Sequence, residues 1–234
     1  ALTYAELNAQ ANQLAHHLID MGVQADSRVA ICVERGLDMV VGLYAILKTG
    51  AAYVPLDPAY PLERIAYMLE DSAPVAVLAQ GATRGLLGDV PVVDLDRSTW
   101  QHQRQDNPGV EGVSAYVIYT SGSTGQPKGV GNTHAALAER LQWMQATYQL
   151  NETDVLMQKA PISFDVSVWE CFWPLITGCR LVLAGPGEHR DPHRIAQLVQ
   201  EHGVTTLHFV PPLLQLFIDE PLVAECTSMR RLVS

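Results

Sequence analysis

The sequence is poor in cysteine, carries no cluster of basic residues and contains no long apolar run. Cys32, Cys171, Cys179 and Cys226 are the only cysteines in 234 residues, and no two of them form a C-x-x-C pair. A disulfide scaffold is therefore excluded, and buried thiols in a reducing, cytoplasmic compartment are expected. A metal site built on Cys171 and Cys179 would lack a second pair at ligand spacing. Lys and Arg number 15 against 25 Asp and Glu, a formal net charge of −10. With no basic stretch, neither nucleic acid nor an anionic membrane surface is an expected partner. Apolar stretches such as 39–47 fall well short of the roughly 20 residues that span a bilayer. No charged, apolar and small-residue succession opens the chain, so no signal peptide is read. Without a starting Met, the sequence reads as an excerpt or a processed product.

What is present is an ordinary globular composition, 48% hydrophobic and 17% charged, organised as strand–helix alternation. Thr3 and Glu6 form a capping box, and Leu7, Ala11, Leu14 and Leu18 follow at helical spacing, with Gly22 as the stop. Short β-branched runs at 28–33, 52–55, 75–79, 90–95, 115–119, 155–158, 180–183, 205–210 and 231–233 read as strands. Helical patterns at 37–48, 62–70, 135–148, 165–177, 192–203 and 212–218 separate most of them. Such βα units predict an α/β fold with largely parallel sheets and helices on both faces. The polar stretch 96–112 reads as a loop, and His16-His17 as a solvated helix face. The edges look cut at both ends, since no strand precedes the first helix and no helix follows 231–233.

The densest chemistry lies in Y-T-S-G-S-T-G-Q-P-K-G at 119–129, where a strand runs into a Gly-rich loop at 121–129. Glycines let the backbone approach a ligand, and successive N–H groups there form an anion-binding concavity. The hydroxyls of Ser121, Ser123 and Thr124 add donors, and Lys128 adds positive charge. This set suits a polyphosphate. It is not a Walker A loop, because Pro127 precedes the Lys and Gly129 follows it. A second group opens the helix at 165, where Asp165 and Trp169 share a face at i, i+4. A carboxylate beside an indole suits an ammonium group, while a plain helix cap is the structural alternative for Asp165. His189, Asp191 and His193 are better explained by Asp191 capping a helix at Pro192 than by a metal. Asp57 lies in a proline-flanked turn and reads as structural.

The string at 119–129 resembles the signature loop of adenylate-forming enzymes. L-T-Y-A-E-L at 2–7, L-K-T-G-A-A-Y-V-P-L-D-P-A-Y-P at 47–61 and F-D-V-S-V-W-E at 164–170 are similar to further core motifs of one branch, the adenylation domains of nonribosomal peptide synthetases. The four segments are collinear and the similarity covers the whole chain. The resemblance implies the large N-terminal subdomain of such an enzyme, with 1–234 a partial AMP-binding domain and the C-terminal subdomain absent. It implies that Ser121, Gly122, Ser123, Thr124, Gly125 and Lys128 hold ATP phosphates. Thr120, Thr124 and Lys128 become the catalytic candidates, with Thr124 at Mg²⁺. Asp165 would bind a substrate α-amino group, which the acyl-CoA synthetase branch does not need, and Val166, Trp169 and His208 would line the side-chain pocket.

Asp, Val, Trp and His in that order resemble the opening of a serine-type pocket. The implied reaction joins an amino acid to AMP with release of pyrophosphate. The aminoacyl group then passes to the phosphopantetheine thiol of a peptidyl carrier protein beside a condensation domain. Family segments for adenine, ribose and the mobile catalytic Lys are not found in 1–234, so these residues alone are expected not to adenylate at a useful rate. An acyl-CoA ligase and a non-catalytic binding remnant stand as the rival readings.

Overall fold

The computed structural model describes residues 1–121 and 126–234. They form two compact units, 1–140 and 141–234.

The first unit carries α1 (Tyr4–Asp20), β1 (Arg28–Cys32), α2 (Leu37–Lys48), β2 (Ala52–Pro55), α3 (Leu62–Ser72), β3 (Ala76–Ala79), β4 (Val92–Asp94), β5 (Ser114–Ser121) and β6 (Pro127–Thr133). Its sheet has the order β4-β3-β1-β2-β5-β6. All neighbours are parallel except β5 and β6. Side chains alternate across a strand, and the two faces are covered accordingly. Ala30, Cys32, Val54, Val77 and Ala79 pack with Ile65, Met68 and Leu69 of α3. Ile31 and Leu78, one residue out of phase, lie against α2, so closely that a Cβ on Gly42 would sit 2.9 Å from Ile31 Cδ1. Burial on both faces is what a parallel sheet requires, and it accounts for the unbroken apolar strands.

The capping box is formed as expected: Thr3 Oγ1 accepts from the Glu6 N–H, and Glu6 Oε2 accepts from the Thr3 N–H. The helix ends at Met21, with Gly22 in the left-handed region at φ 96°. Gly50 has a left-handed φ of 72°, and a Cβ on it would lie 3.1 Å from the Gly112 nitrogen, while a Cβ on Gly112 would lie 1.9 Å from the Gly50 carbonyl oxygen, so the two glycines permit one close backbone approach. His16 corrects the reading of a solvated face. It is buried, and its Nε2–H donates to the Asp106 carbonyl at 2.9 Å. Asn12 and Gln13 donate to the carbonyls of Gln105 and Gln101. One polar face of α1 thus satisfies the backbone of a loop that has no ladder of its own.

The second unit holds β7 (Val155–Gln158), α5 (Val166–Thr177), β8 (Arg180–Leu183), α6 (Pro192–His202), β9 (Thr206–His208), α7 (Pro211–Ile218) and β10 (Arg231–Val233). The helix α4 (His134–Tyr148) contains the division between the units. The sheet order is β10-β9-β7-β8, all parallel. Val155, Met157, Leu207 and Phe209 face Ile195, Leu198 and Val199 of α6. The alternate positions, Gln158 and His208, face α5. Asp191 caps α6 by accepting from the His193 and Arg194 N–H groups, as its spacing implied. No cluster of His, Cys, Asp or Glu among the described residues could hold a metal ion. All four cysteines are buried, and none is in a disulfide. No helix among the described residues is long and apolar enough to cross a membrane.

Asp154, fully buried, ties β10 to the sheet. Its Oδ1 accepts from Arg231 Nη1 and Thr205 Oγ1, both at 2.8 Å, and its Oδ2 accepts from the Asn151 N–H. Burial pushes the carboxyl pKa up, but these donors outweigh it and hold the carboxyl below the usual range. A depressed folded pKa contributes stability that is present above the unfolded value of about 4 and is lost as pH falls through the folded value. Asp154→Asn is expected to cost about 2 kcal/mol at pH 7. Hydrogen exchange at the β7 amides should show that cost, and the gap to the unsubstituted protein should narrow below about pH 4.

Candidate active site

The chemistry-bearing residues fall into two groups, one in each unit. In the first, β5 and β6 form an antiparallel pair in which Tyr119 faces Gly129, Thr120 faces Lys128 and Ser121 faces Pro127. Lys128 and Gly129 therefore lie on a strand and not in the loop expected over 121–129. The loop reading failed because Pro127 and Gly129 look like strand breakers, yet each has a reason to be there. Pro127 is the first residue of an edge strand, where a missing N–H costs nothing. Gly129 leaves room for the ring opposite, since a Cβ there would lie 3.2 Å from Tyr119 Cζ and 2.9 Å from Val117 Cγ1. The Tyr119 hydroxyl donates to Asp71 Oδ2 at 2.5 Å, and the Tyr67 hydroxyl donates to the Pro127 carbonyl at 3.2 Å. Burial, then the Asp71 carboxylate, push the Tyr119 hydroxyl pKa up, so it stays a donor.

Two side chains of α3 thus pin both strands of the hairpin. Thr120, Ser121 and Lys128 are exposed at one end of the β5–β6 ladder, with Thr120 and Lys128 directly opposed across it. A hydroxyl and an ammonium so placed can meet an anion together. Gly122, Ser123, Thr124 and Gly125 lie outside the described residues.

In the second unit the C-terminal ends of β7 and β9 meet the start of α5, the edge at which open parallel sheets bind ligands. Asp165 is exposed and stands at the cap position of α5, but its side chain makes no capping hydrogen bond. The capping bond that the structural alternative needs is thus not formed. One turn on, Trp169 is buried, and its ring meets that of His208 edge-on, with centroids 5.6 Å apart at 88°. Val166, the residue after Asp165, is half-buried. Burial, then the charge of Lys159, push the His208 pKa down to about 4, with Asp165 acting in the opposite sense. The imidazole is therefore neutral at physiological pH, free to donate at one nitrogen and accept at the other. The structure thus brings Trp169 and His208 together on one side of α5 with Asp165 one turn away; the i, i+4 spacing implied the Asp165–Trp169 pair, and only the resemblance implied His208.

Three participants were not singled out from the sequence. Lys159 is only 5% exposed, with Nζ 4.4 Å above the Phe209 ring. Gln158 and Glu170 are fully buried, and Glu170 Oε2 accepts from the N–H groups of Lys159 and Ala160 at 3.1 and 2.9 Å. The signal was present in V-L-M-Q-K-A-P at 155–161, where a Gln-Lys pair ends an apolar strand.

The whole chain, residues 1–234, matches the family model of AMP-binding enzymes. It is 46% identical over 235 residues to tyrocidine synthase 3 of Brevibacillus parabrevis, covering 99% of this chain and 4% of that protein. It is 42% identical to zwittermicin A synthase ZmaJ of Bacillus cereus, covering 93% of this chain and 42% of the relative. Among solved structures, it resembles the nonribosomal peptide synthetase FmoA3 with a TM-score of 0.86 and 30% identity, over 98% of this chain and 25% of that one. The form of FmoA3 bound to α-methyl-L-serine–AMP gives a TM-score of 0.85 over the same share of this chain. The chain therefore spans less than half the length of each of these relatives.

Proposed function

The chain belongs to the AMP-binding enzyme family, and from that premise we propose that it is the N-terminal part of a nonribosomal peptide synthetase adenylation domain that activates serine. The observation that carries the reading is the group formed by Asp165, Trp169 and His208. An uncapped carboxylate suits the α-ammonium of an amino acid. The buried indole restricts the room beside it to a small side chain. A neutral imidazole matches a hydroxyl, which donates and accepts. FmoA3, which is known bound to α-methyl-L-serine–AMP, is consistent with a serine-like occupant.

On this reading the substrate carboxylate attacks the α-phosphorus of ATP, pyrophosphate leaves, and seryl-AMP forms. Lys128, with Thr120 and Ser121, would hold phosphate oxygens as charge builds on them. The described donors fit that part, being one ammonium and two hydroxyls exposed at one end of the β5–β6 ladder. Ser123 and Thr124 would complete the set together with the N–H groups of Gly122 and Gly125. Thr124 would supply a hard oxygen ligand for Mg²⁺, which when bound would supply positive charge to offset that of the phosphates. The seryl group would then pass to the phosphopantetheine thiol of a peptidyl carrier protein next to a condensation domain. The four reduced, buried cysteines suit a cytoplasmic setting.

Amino-acid-dependent ATP–pyrophosphate exchange by the full-length protein, run over a panel of amino acids, tests the reading. Serine is expected to give the highest kcat/KM. Preference for a large apolar amino acid would reject the pocket assignment, and exchange with fatty acids alone would reject amino-acid activation.

A further inference from the structure

Resting on the reading of Asp165, Trp169 and His208 as an amino-acid pocket, we propose that Glu170 is the positioning residue that sets the pocket's hydrogen-bonding sense. It holds the end of β7 against α5, and it keeps the His208 proton on Nδ1. The pocket then presents a lone pair at Nε2 and selects a side chain that donates.

Glu170 follows Trp169 on α5, and its side chain is fully buried. Through Oε2 it accepts from three successive residues, the Gln158 amide at 3.2 Å and the backbone N–H groups of Lys159 and Ala160. One helix residue thereby fixes the turn from which Lys159 reaches the Phe209 ring. The other oxygen, Oε1, lies 4.0 Å from His208 Nδ1, with the side chains 0% and 10% exposed. Burial and the charge of Lys159 keep the ring neutral, so what an oxygen this close to Nδ1 biases is where the single proton sits. A neutral imidazole carries one proton, and the group facing each nitrogen decides where it sits. A carboxylate facing Nδ1 favours the proton there. A site that accepts in this way rejects an isostere that lacks the donor far more strongly than it rejects a change of size.

Two measurements on the full-length protein test this. The first compares exchange with serine and with 3-fluoroalanine, of similar size but without the donor. The unsubstituted protein is expected to favour serine by about tenfold or more. Glu170→Gln keeps the size and an acceptor for the Lys159 and Ala160 N–H groups, but turns an amide N–H toward Nδ1. The proton then moves to Nε2, and the preference should shrink to about threefold or less. An unchanged ratio in a folded Glu170→Gln protein overturns the proposal. The second measurement needs no variant at position 170. The ¹⁵N spectrum of histidine-labelled protein, with His208 assigned by its loss in His208→Gln, should show the Nδ1–H form at neutral pH. The Nε2–H form would overturn the proposal, even if no substrate had been found. Failure to activate any amino acid would instead reject the pocket reading itself.

Discussion

Asp165→Ala is expected to lower kcat/KM for the amino acid about a hundredfold while leaving the KM for ATP within about twofold. The reasoning begins with the side chain's position. A residue at a helix N-cap commonly gives its oxygen to the first turn, and its replacement by Ala then costs about 1 kcal/mol of stability. Asp165 gives no such bond to α5. Its loss should therefore be nearly silent in thermal unfolding. The carboxylate is exposed beside the buried pair of Trp169 and His208, where a charged hydrogen bond to an ammonium is worth more than a neutral one. Asp165→Asn should fall between the two, because it keeps an acceptor and loses the charge. Substrate analogues with a hydroxyl in place of the α-amino group separate the mechanisms further. The unsubstituted protein should discriminate against them strongly and Asp165→Ala much less. Unaltered kinetics with a clearly lowered melting temperature would return Asp165 to a structural role.

The strands and helices were legible wherever one physical signal dominated. β7, β8 and β10 begin and end where the β-branched runs do, and α6 starts at the Pro192 that Asp191 caps. The reading failed where tertiary structure overrode local composition. Pro127 and Gly129 punctuate a loop by composition, yet they lie on β6 because the Tyr119 ring fills the space a side chain at 129 would take. His16 is polar and mid-helix, yet it is buried because the loop at 101–107 needs donors for its carbonyls. In the pocket, residues one helical turn apart could be placed together from spacing alone. Trp169 and His208 are 39 positions apart in the sequence, and their ring contact follows from the parallel order β9-β7 rather than from any local pattern. Glu170 was hidden for the opposite reason. It sits inside a motif whose other members absorb attention, and its partners are mostly backbone groups, which no side-chain pattern announces.

Trp173→Ala is expected to destabilise the second unit by about 3–5 kcal/mol. Trp173 is fully buried and sits one turn beyond Trp169 on α5. Its ring lies 5.9 Å from those of Trp169 and Tyr148, and its Nε1–H donates to Gln145 Oε1 at 2.8 Å. Truncation opens a cavity the size of an indole and also leaves the Gln145 oxygen without its donor, and the two costs add. Trp173→Phe separates them, since it keeps much of the packing and removes only the hydrogen bond, and should cost about 1–2 kcal/mol. Urea unfolding followed by tryptophan fluorescence measures both. The kinetic consequence follows from the stacking order. Trp169 is pressed between Trp173 and His208, so a void behind it frees the indole that bounds the pocket. In the Ala variant, at a temperature where it remains folded, selectivity for serine over larger amino acids should fall severalfold, while the KM for ATP stays as it was. A loss of stability with selectivity intact would show that His208 alone holds the Trp169 ring in place.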